Sequence, residues 1–402
     1  MKVYQVNVVC GSGSTGKIVT DLAHTIKEYG GESRIAYGRG SSPEGIDAIK
    51  VSSKLDLYIH AVLTRITDKH GLYSKEATKR LVKDIKTYKP DIIHLHNIHG
   101  YYLNYEMLFR FLKEYNRPIV WTLHDCWTFT GHCAHFDYVK CDKWKSGCYA
   151  CAQKKRYPKS NLFDNSKSNF LKKKELFNLP NSITIVTVSE WLKGVAEKGI
   201  LKKYPILKIS NGIDLKIFKP TENDIKKKYH LENKKIVLGV ASTWEEYKGI
   251  QTFFELAEQL PDNYQVVMIG LNDKQMKEKP EEILGIPRTA NQKELVEWYS
   301  SAEVYVNTSV EETMGLTTVE AMACGTPVIV MNTTASPELV DDNCGIIVEP
   351  NDLEGLKQAV IALNKTTVIS DYCINHVKEY EKDKQYTKYI DLYKKILYEL
   401  EN

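Results

Sequence analysis

The stretch from Ser309 to Pro327 constrains this chain more than any other. Val304-Tyr305-Val306 is a short apolar strand, and Pro327-Val328-Ile329-Val330 leaves as the next one. Between them lie a loop containing Gly315 and a short helix that Gly325, a strong C-terminal breaker, brings to an end. Strand, Gly-containing loop and helix N-terminus together make an anion site, because the first backbone N–H groups of the helix have no partner and point at whatever sits above them. Glu312 and Glu320, with seven residues between them, bracket the loop and the first helical turn. One carboxylate before the loop and one inside the helix are placed to hold hydroxyl groups on either side of a bound phosphate. A nucleoside diphosphate sugar has this layout: ribose hydroxyls, diphosphate, sugar hydroxyls. Two glutamates taken alone would read as solvated side chains of an ordinary β-loop-α unit; the spacing and the segment taken together favour a ligand.

A chain of 402 residues is long enough for two α/β domains, and 43% hydrophobic with 26% charged residues is globular rather than disordered material. The segment Met1–Val9 reads as a first strand, not a signal peptide, and no apolar run approaches the ~18 residues needed to span a membrane. Nine cysteines, five of them crowded between 126 and 151, do not make a small secreted disulfide scaffold, so a cytoplasmic location is expected. Charge is divided unevenly: residues 1–203 carry 33 Lys and Arg against 19 Asp and Glu, whereas the rest carry 22 against 32. Basic runs are most often just solvated surface. The sharper expectation is a peripheral contact of the first domain with an anionic membrane, at the inner face of the plasma membrane. No nucleic acid is expected, since no aromatic-basic interleaving accompanies the charge.

Gly11-Ser12-Gly13-Ser14-Thr15-Gly16-Lys17-Ile18 follows the first strand and matches a phosphate-binding loop as far as the lysine. Ile18 stands where such a loop needs Ser or Thr to hold magnesium, and no strand ending in a magnesium-binding aspartate follows. An ATPase is therefore the rival that magnesium-dependent ATP hydrolysis would revive. What survives is a Gly-rich loop that lets a ligand approach the backbone at a helix N-terminus. His94, His96 and His99 flank the end of the strand 90–97; in a strand only the first two share a face, so hydrogen-bonding roles are favoured over a metal, and His96 and Asn97 stand where an acceptor would bind. Cys133, Cys141, Cys148 and Cys151 follow with gaps of seven, six and two residues. Cys148-Tyr149-Ala150-Cys151 is a zinc-ribbon half-site, which makes the four a candidate structural zinc site, with reduced thiols and redox chemistry as the alternatives.

The segment around Glu312 and Glu320 resembles the signature of retaining glycosyltransferase family 4. The resemblance extends to Thr122-Leu123-His124-Asp125, to Asn211-Gly212-Ile213-Asp214 with Phe218-Lys219-Pro220, and to Lys248-Gly249. The spaced cysteines after Thr-x-His-Asp resemble a subset of bacterial polysaccharide-building enzymes. The family implies an α/β GT-B fold: two Rossmann-like domains facing across a cleft, here residues 1–204, carrying a basic and Cys-rich insert at 126–160, and residues 205–383. A terminal helix, 384–402, would cross back onto domain one, matching the apolar stripe at 386, 389, 390, 393, 396, 397 and 400. It also implies roles. His124, Lys248 and Glu312 would be catalytic. Gly13, Gly16, Asn211, Gly212, Thr243, Lys248, Met314, Gly315, Leu316, Thr317 and Glu320 would bind the donor. Ser14, Thr15, His96 and Asn97 would face the acceptor.

What the resemblance implies chemically is transfer of a sugar from a nucleotide-diphosphate sugar to a glycan or lipid-linked acceptor, with no cofactor required for catalysis. One departure stands out. The family places an arginine just after the first strand of domain two, where this chain has Ser242 and Thr243. Diphosphate neutralisation then falls to Lys248, backbone amides and hydroxyls, with Arg288 either substituting or lining the base pocket. A GT-B sugar- or lipid-binding protein without catalysis is the alternative of another class.

Overall fold

Strands in this chain are runs of buried residues rather than in–out alternations, the mark of parallel sheets covered on both faces. Lys2–Val9 is buried at six consecutive positions, and the four residues of Val304–Asn307 are all buried. The structure, a computed structural model, describes residues 1–401. The chain divides into two compact units, Met1–Ser210 with Gln385–Asn402, and Asn211–Lys384.

The first unit holds β1 (Lys2–Val9), β2 (Glu32–Arg39), β3 (Ala48–Lys50), β4 (Ile92–Leu95), β5 (Ile119–Leu123), β6 (Ile183–Thr187) and β7 (Ile206–Lys208). They form one parallel sheet in the order β3-β2-β1-β4-β5-β6-β7. The second unit holds β8 (Lys235–Val240), β9 (Tyr264–Ile269), β10 (Ile283–Ile286), β11 (Val304–Asn307), β12 (Val328–Met331) and β13 (Gly345–Val348), in the order β10-β9-β8-β11-β12-β13. Both sheets are doubly wound α/β structures. Each has one place where strand order reverses, between β1 and β4 and between β8 and β11, and ligands of such sheets bind beyond the strand ends there.

The sequence marks Ser182–Ser189 as the last strand of the first domain; the structure adds β7 beyond it, pairing Ile185 with Ile206. This edge strand is only three residues long and leaves Leu207 42% exposed, so it carries no burial pattern to read. It also draws the end of the first unit to Ser210 rather than 204.

The helix Lys382–Glu401 completes the first unit. Tyr386, Tyr389, Ile390 and Tyr393 are buried in one cluster with Val3, Ile18, Leu22, Ile92, Val120 and Val186. Two of its tyrosines also make buried polar contacts, Tyr389 Oη with Thr122 Oγ1 at 3.0 Å and Tyr393 Oη with His94 Nδ1 at 2.7 Å. Full burial of such side chains stabilises by about 1.5–3 kcal/mol each, so the helix is part of the core. Its apolar stripe stops short of the expected end, because Leu400 is 58% exposed. Just before it, Tyr380 and Lys382 pair with Ile213 through N–H···O bonds of 2.8 and 2.9 Å.

One long segment has almost no regular structure. Between Leu123 and Ser166 there is a single three-residue 3-10 turn, Lys143–Lys145.

Candidate functional site

At the β8/β11 reversal of the second unit, two strand ends deliver opposite charges to one point. Gly249, which follows Lys248, has φ +73°, and a Cβ there would lie 2.5 Å from that of Thr308, just past β11. Glycine therefore lets the two loops touch, and Thr308 Oγ1 donates to the Lys248 carbonyl at 2.7 Å. Val310 N–H donates to the Tyr247 carbonyl at 2.9 Å. So clamped, Lys248 Nζ meets Glu312 Oε1 at 2.5 Å with both side chains largely out of solvent. Burial alone would lower the Lys248 pKa, but the Glu312 carboxylate more than offsets this and the lysine is held above its ordinary value. Glu312 is fixed from behind, its N–H donating to Thr334 Oγ1 at 3.0 Å.

Beyond Glu312 the loop turns through Gly315, at φ +86°, into the helix Leu316–Ala323, whose first turn carries no acidic side chain. Cys324 caps this helix and Gly325, at φ +73°, reverses the chain. Met314 is buried, and its sulfur accepts from the Asn211 N–H at 3.2 Å, so the turn at Asn211-Gly212 packs against the same loop. Tyr305 Oη donates to Thr317 Oγ1 at 2.7 Å, and Tyr299 Oη to Glu320 Oε2 at 3.0 Å. The structure thus joins Lys248, Glu312, Met314, Gly315 and Asn211 in one contact network, with Thr317 and Glu320 along the helix. Thr243 and Arg288 are exposed and make none of these contacts. Thr308, Thr334 and Tyr299, which hold the site's lysine and both glutamates, give no signal in the sequence because hydroxyls of this kind are everywhere.

In the first unit, the β1/β4 reversal gathers the acceptor-side residues. The helix Gly13–Glu28 starts within the Gly-rich loop, with Ser12 at its N-cap making no side-chain cap and no acid in its first turn. Ser14 is exposed and Gly16 is buried, where a Cβ would press on Val9 and on the Gly11 nitrogen at 3.1 and 3.2 Å. Asn7, one of two buried amides in β1 with Gln5, bridges this loop to the next strand end. Its Nδ2 reaches Thr15 Oγ1 at 3.5 Å while its Oδ1 accepts from the Asn97 N–H at 3.2 Å.

Beside them, His96 Nδ1 lies 3.1 Å from His124 Nε2 with the rings stacked. Burial lowers the His124 pKa to about 4, and His94 and His96 also fall well below the ordinary histidine value. All three are neutral at physiological pH. His94 is taken up by Thr122 and Tyr393, and His99 lies 2.8 Å from Asp125 through Nε2, so the three histidines of this strand end hold separate partners. Burial opposes ionisation of Asp125, but His99 and its hydrogen bond prevail and bring its carboxyl down to about 2. On its other side His99 Nδ1 meets Tyr157 Oη at 2.8 Å. Tyr157 belongs to the irregular segment after the cysteines and is the residue that sequence spacing gave no reason to place here.

Within that segment Cys133, Cys141, Cys148 and Cys151 line one cavity of about 20 Å³. Cys133 and Cys151 are in hydrogen-bond contact, which lowers the Cys151 thiol to about 7 and raises that of Cys133. His132 stands on the cavity wall, its Nδ1 bound to the buried Asp68. Elsewhere, Asp341, Cys344 and His376 present ligand atoms within 4.8 Å of one another, but His376 is already engaged by the Asp341 carboxylate at 3.2 Å and the Leu339 carbonyl at 3.0 Å. No helix among the described residues is long and apolar enough to cross a membrane.

Comparison with known proteins identifies the family. A family model described as Glycosyltransferase Family 4 matches residues 15–217, half of the chain. The chain belongs to this family of glycosyltransferases. A second model, Glycosyl transferases group 1, matches residues 234–366 of the same glycosyltransferase. Among curated relatives, the putative colanic acid biosynthesis glycosyl transferase WcaC of Escherichia coli is 29% identical over 170 residues, 39% of this chain. That match spans only 41% of the relative's own length. Solved structures share the two-unit GT-B fold over nearly the whole glycosyltransferase. Sucrose-phosphate synthase from Thermosynechococcus elongatus superposes with a TM-score of 0.72 at 17% identity, covering 98% of both chains. Anabaena HepE in complex with UDP and glucose superposes with a TM-score of 0.68 at 14% identity, covering 98% of this chain and 99% of that one.

Proposed function

We propose that this glycosyltransferase moves a sugar from a nucleotide-diphosphate sugar to a glycan or lipid-linked acceptor in polysaccharide biosynthesis, with retention of anomeric configuration. The observation that carries the proposal is the Lys248–Glu312 pair at 2.5 Å, set at the strand-order reversal beside a Gly315 turn and an uncapped helix N-terminus. Solved neighbours of the same fold hold UDP and glucose, which supports a sugar nucleotide as donor.

In this proposal the diphosphate settles on Lys248 and the backbone N–H groups of Met314, Gly315 and Leu316, and the ammonium is shared between phosphate and Glu312. Glu312 then takes up sugar hydroxyls, and Glu320, oriented by Tyr299, holds the ribose. As the bond from the sugar's anomeric carbon to the phosphate oxygen breaks, the acceptor hydroxyl oxygen bonds to that carbon from the same face. Its proton passes to the departing phosphate, so no separate base is needed. His124, neutral at the end of β5, is assigned a hydrogen bond to a hydroxyl of the transferred sugar. The lysine and amides meet the diphosphate's charge, so metal assistance is not required by this scheme. The arginine missing after β8 leaves Lys248 as the main cation, which makes the site more sensitive to its loss than a two-cation clamp.

The basic first unit also displays an apolar helix face, with Leu55 66%, Tyr58 69% and Ile59 47% exposed. Next to it, Leu162 and Phe163 are exposed too, Phe163 N–H donating to the Ile66 carbonyl of that helix. Apolar side chains beside basic ones suit the surface of an anionic bilayer carrying a lipid-linked acceptor. Association with acidic vesicles that weakens with added salt supports this; indifference to salt overturns the electrostatic part.

A melting-temperature panel with UDP, GDP, ADP and their sugars tests the donor site. A ligand at a hundredfold over its Kd adds about 2.7 kcal/mol, a clear upward shift. If none of them stabilises the second unit, the donor assignment is wrong.

A further inference from the structure

We propose a structural zinc site formed by Cys133, Cys141, Cys148 and Cys151, which line one cavity although no three of their sulfurs lie within 4.8 Å of one another, and which on binding the ion hold Tyr157 in place against His99 and Asp125. The four cysteines come from a segment with almost no regular secondary structure, held otherwise by buried polar contacts such as His132 on Asp68 and Lys173 on the Trp127 and Thr130 carbonyls. From Leu123 to Ser166 the chain makes one three-residue 3-10 turn, and irregular stretches of this length inside a folded unit need a staple. All four line a single cavity of about 20 Å³, the size of one ion or water, over the stacked rings of Phe136 and Trp144. Cys126, the fifth cysteine of the region, does not line it; its N–H donates to the Ala134 carbonyl at 2.8 Å instead.

The surroundings are those of a metal-bound thiolate. Gly131 N–H points at Cys148 Sγ at 3.2 Å, the outer-shell hydrogen bond that supports sulfur ligands. Gly131 must be glycine for this approach, because a Cβ there would lie 2.0 Å from the Ser166 carbonyl oxygen and 2.9 Å from Cys148 Cβ. Lys143 Nζ donates to the carbonyls of Tyr149 and Ala150, both at 3.1 Å, and so fixes the turn between Cys148 and Cys151 from outside. Four thiolates around a divalent ion leave two negative charges. Lys143 is one cation beside them, and buried Lys173, hydrogen-bonded to the Trp127 and Thr130 carbonyls, is another. His132 is the wall residue that competes as ligand, because Asp68 holds its Nδ1 and leaves the buried Nε2 without a partner, the orientation of a ligating imidazole. Cys141, Cys148 and Cys151 lie in irregular chain, so an ion can draw their sulfurs into a tetrahedron without breaking a strand or α-helix.

The site's effect reaches the strand ends through a short path. Six residues after Cys151, Tyr157 Oη contacts His99 Nδ1, and His99 Nε2 faces Asp125, the neighbour of His124. Gln153 Nε2 donates to the His135 carbonyl at 2.6 Å and closes the turn between them. Tyr157 is thus a positioning residue, and zinc fixes the loop that presents it. This second step rests on the proposed glycosyl transfer; the metal site itself does not.

The test is metal analysis of the full-length protein purified in reducing buffer, then reconstituted with zinc and dialysed. About one zinc per chain is expected, with the four thiols slow towards a thiol reagent until a chelator releases the metal. Cys148→Ser and Cys151→Ser should each lose most of the zinc, and Cys344→Ser, in the other unit, should keep it. If the variants do not fold, thiol reactivity and zinc release of the unaltered protein decide alone. Less than about 0.2 zinc after reconstitution overturns the site. So does stoichiometric iron, or a mass that shows disulfides in place of thiols. On the positioning step, stripped enzyme should lose transfer at least tenfold while nucleotide binding by the second unit stays unchanged. Unchanged transfer by zinc-free protein overturns that step and leaves the metal site standing.

Discussion

The loop after β11 and the segment after β5 both follow buried parallel strands and both present polar side chains at strand ends, yet they are held in opposite ways. After β11 the chain turns within a few residues into the helix Leu316–Ala323, and backbone geometry at Gly249, Gly315 and Gly325 sets where Lys248 and Glu312 meet. After β5 it wanders to Ser166, held by buried polar contacts: His132 on Asp68, Asn165 N–H on Asp68 Oδ2 at 2.8 Å, and Lys173 on the Trp127 and Thr130 carbonyls. A site fixed by backbone keeps its shape when a side chain is lost. One fixed by buried polar pairs loses shape with the pair, because each orphaned partner carries its full desolvation cost.

Acid is the strongest way to separate the two. His60, His70, His94, His96 and His124 all lie in the first unit, and burial lowers every one, His60 to about 3 and His124 to about 4. Their folded pKa lies below the unfolded value, so the stability they contribute is complete above pH ~6.5 and is lost as pH falls towards the folded values. His132, raised by Asp68 against the opposing effect of burial, runs the other way and offsets one of them. Each buried neutral imidazole costs about 1 kcal/mol for the first pH unit below 6.5. The first unit should therefore lose roughly 4 kcal/mol between pH 6.5 and 5.5, while the second, which holds only His230 and His376 of the eleven histidines, loses little. Calorimetry across this range should show the two transitions parting; parallel shifts would refute the contrast.

Within the second unit, Lys248→Ala and Glu312→Ala should each lower kcat by about a thousandfold, near 4 kcal/mol, with melting lowered by the orphaned partner but the unit still folded. A loss of folding in either variant would show that the pair is structural instead. Gly131→Ala is the matching break in the first unit. With a Cβ 2.0 Å from the Ser166 carbonyl oxygen, it should destabilise that unit by about 3 kcal/mol, seen as an early melting transition. Tyr157→Phe is the smallest. It removes one hydrogen bond to His99 and should cost about 1 kcal/mol, or several-fold in transfer rate, with nucleotide affinity intact. An effect confined to nucleotide affinity would contradict its place in the first unit.

The same division explains what could be read in advance. Glu312, Gly315, Glu320 and Gly325 were legible because a strand–turn–helix unit is written in neighbouring residues. Lys248 followed from the resemblance that Lys248-Gly249 carries, since it stands in a 3-10 turn eight residues beyond β8 and 64 positions from Glu312. Asn7 was not legible, since nothing in β1 sets it apart from the neighbouring amide Gln5, and only folding brings it to Thr15 and Asn97. Tyr157 lies 58 positions from His99 in a segment without periodicity, so no local rule could aim it. β7 failed for want of length and burial, and the first unit's true end with it.

The terminal helix decides the order in which this molecule can be made. Tyr386, Tyr389, Ile390 and Tyr393 close the core around Val3, Ile92 and Val120, so the part translated first lacks this layer until that helix has been made. The second unit, whose residues all emerge earlier, can fold while its predecessor waits with apolar surface uncovered. A nascent chain of this design keeps its opening unit unfinished until residues 386–393 have emerged.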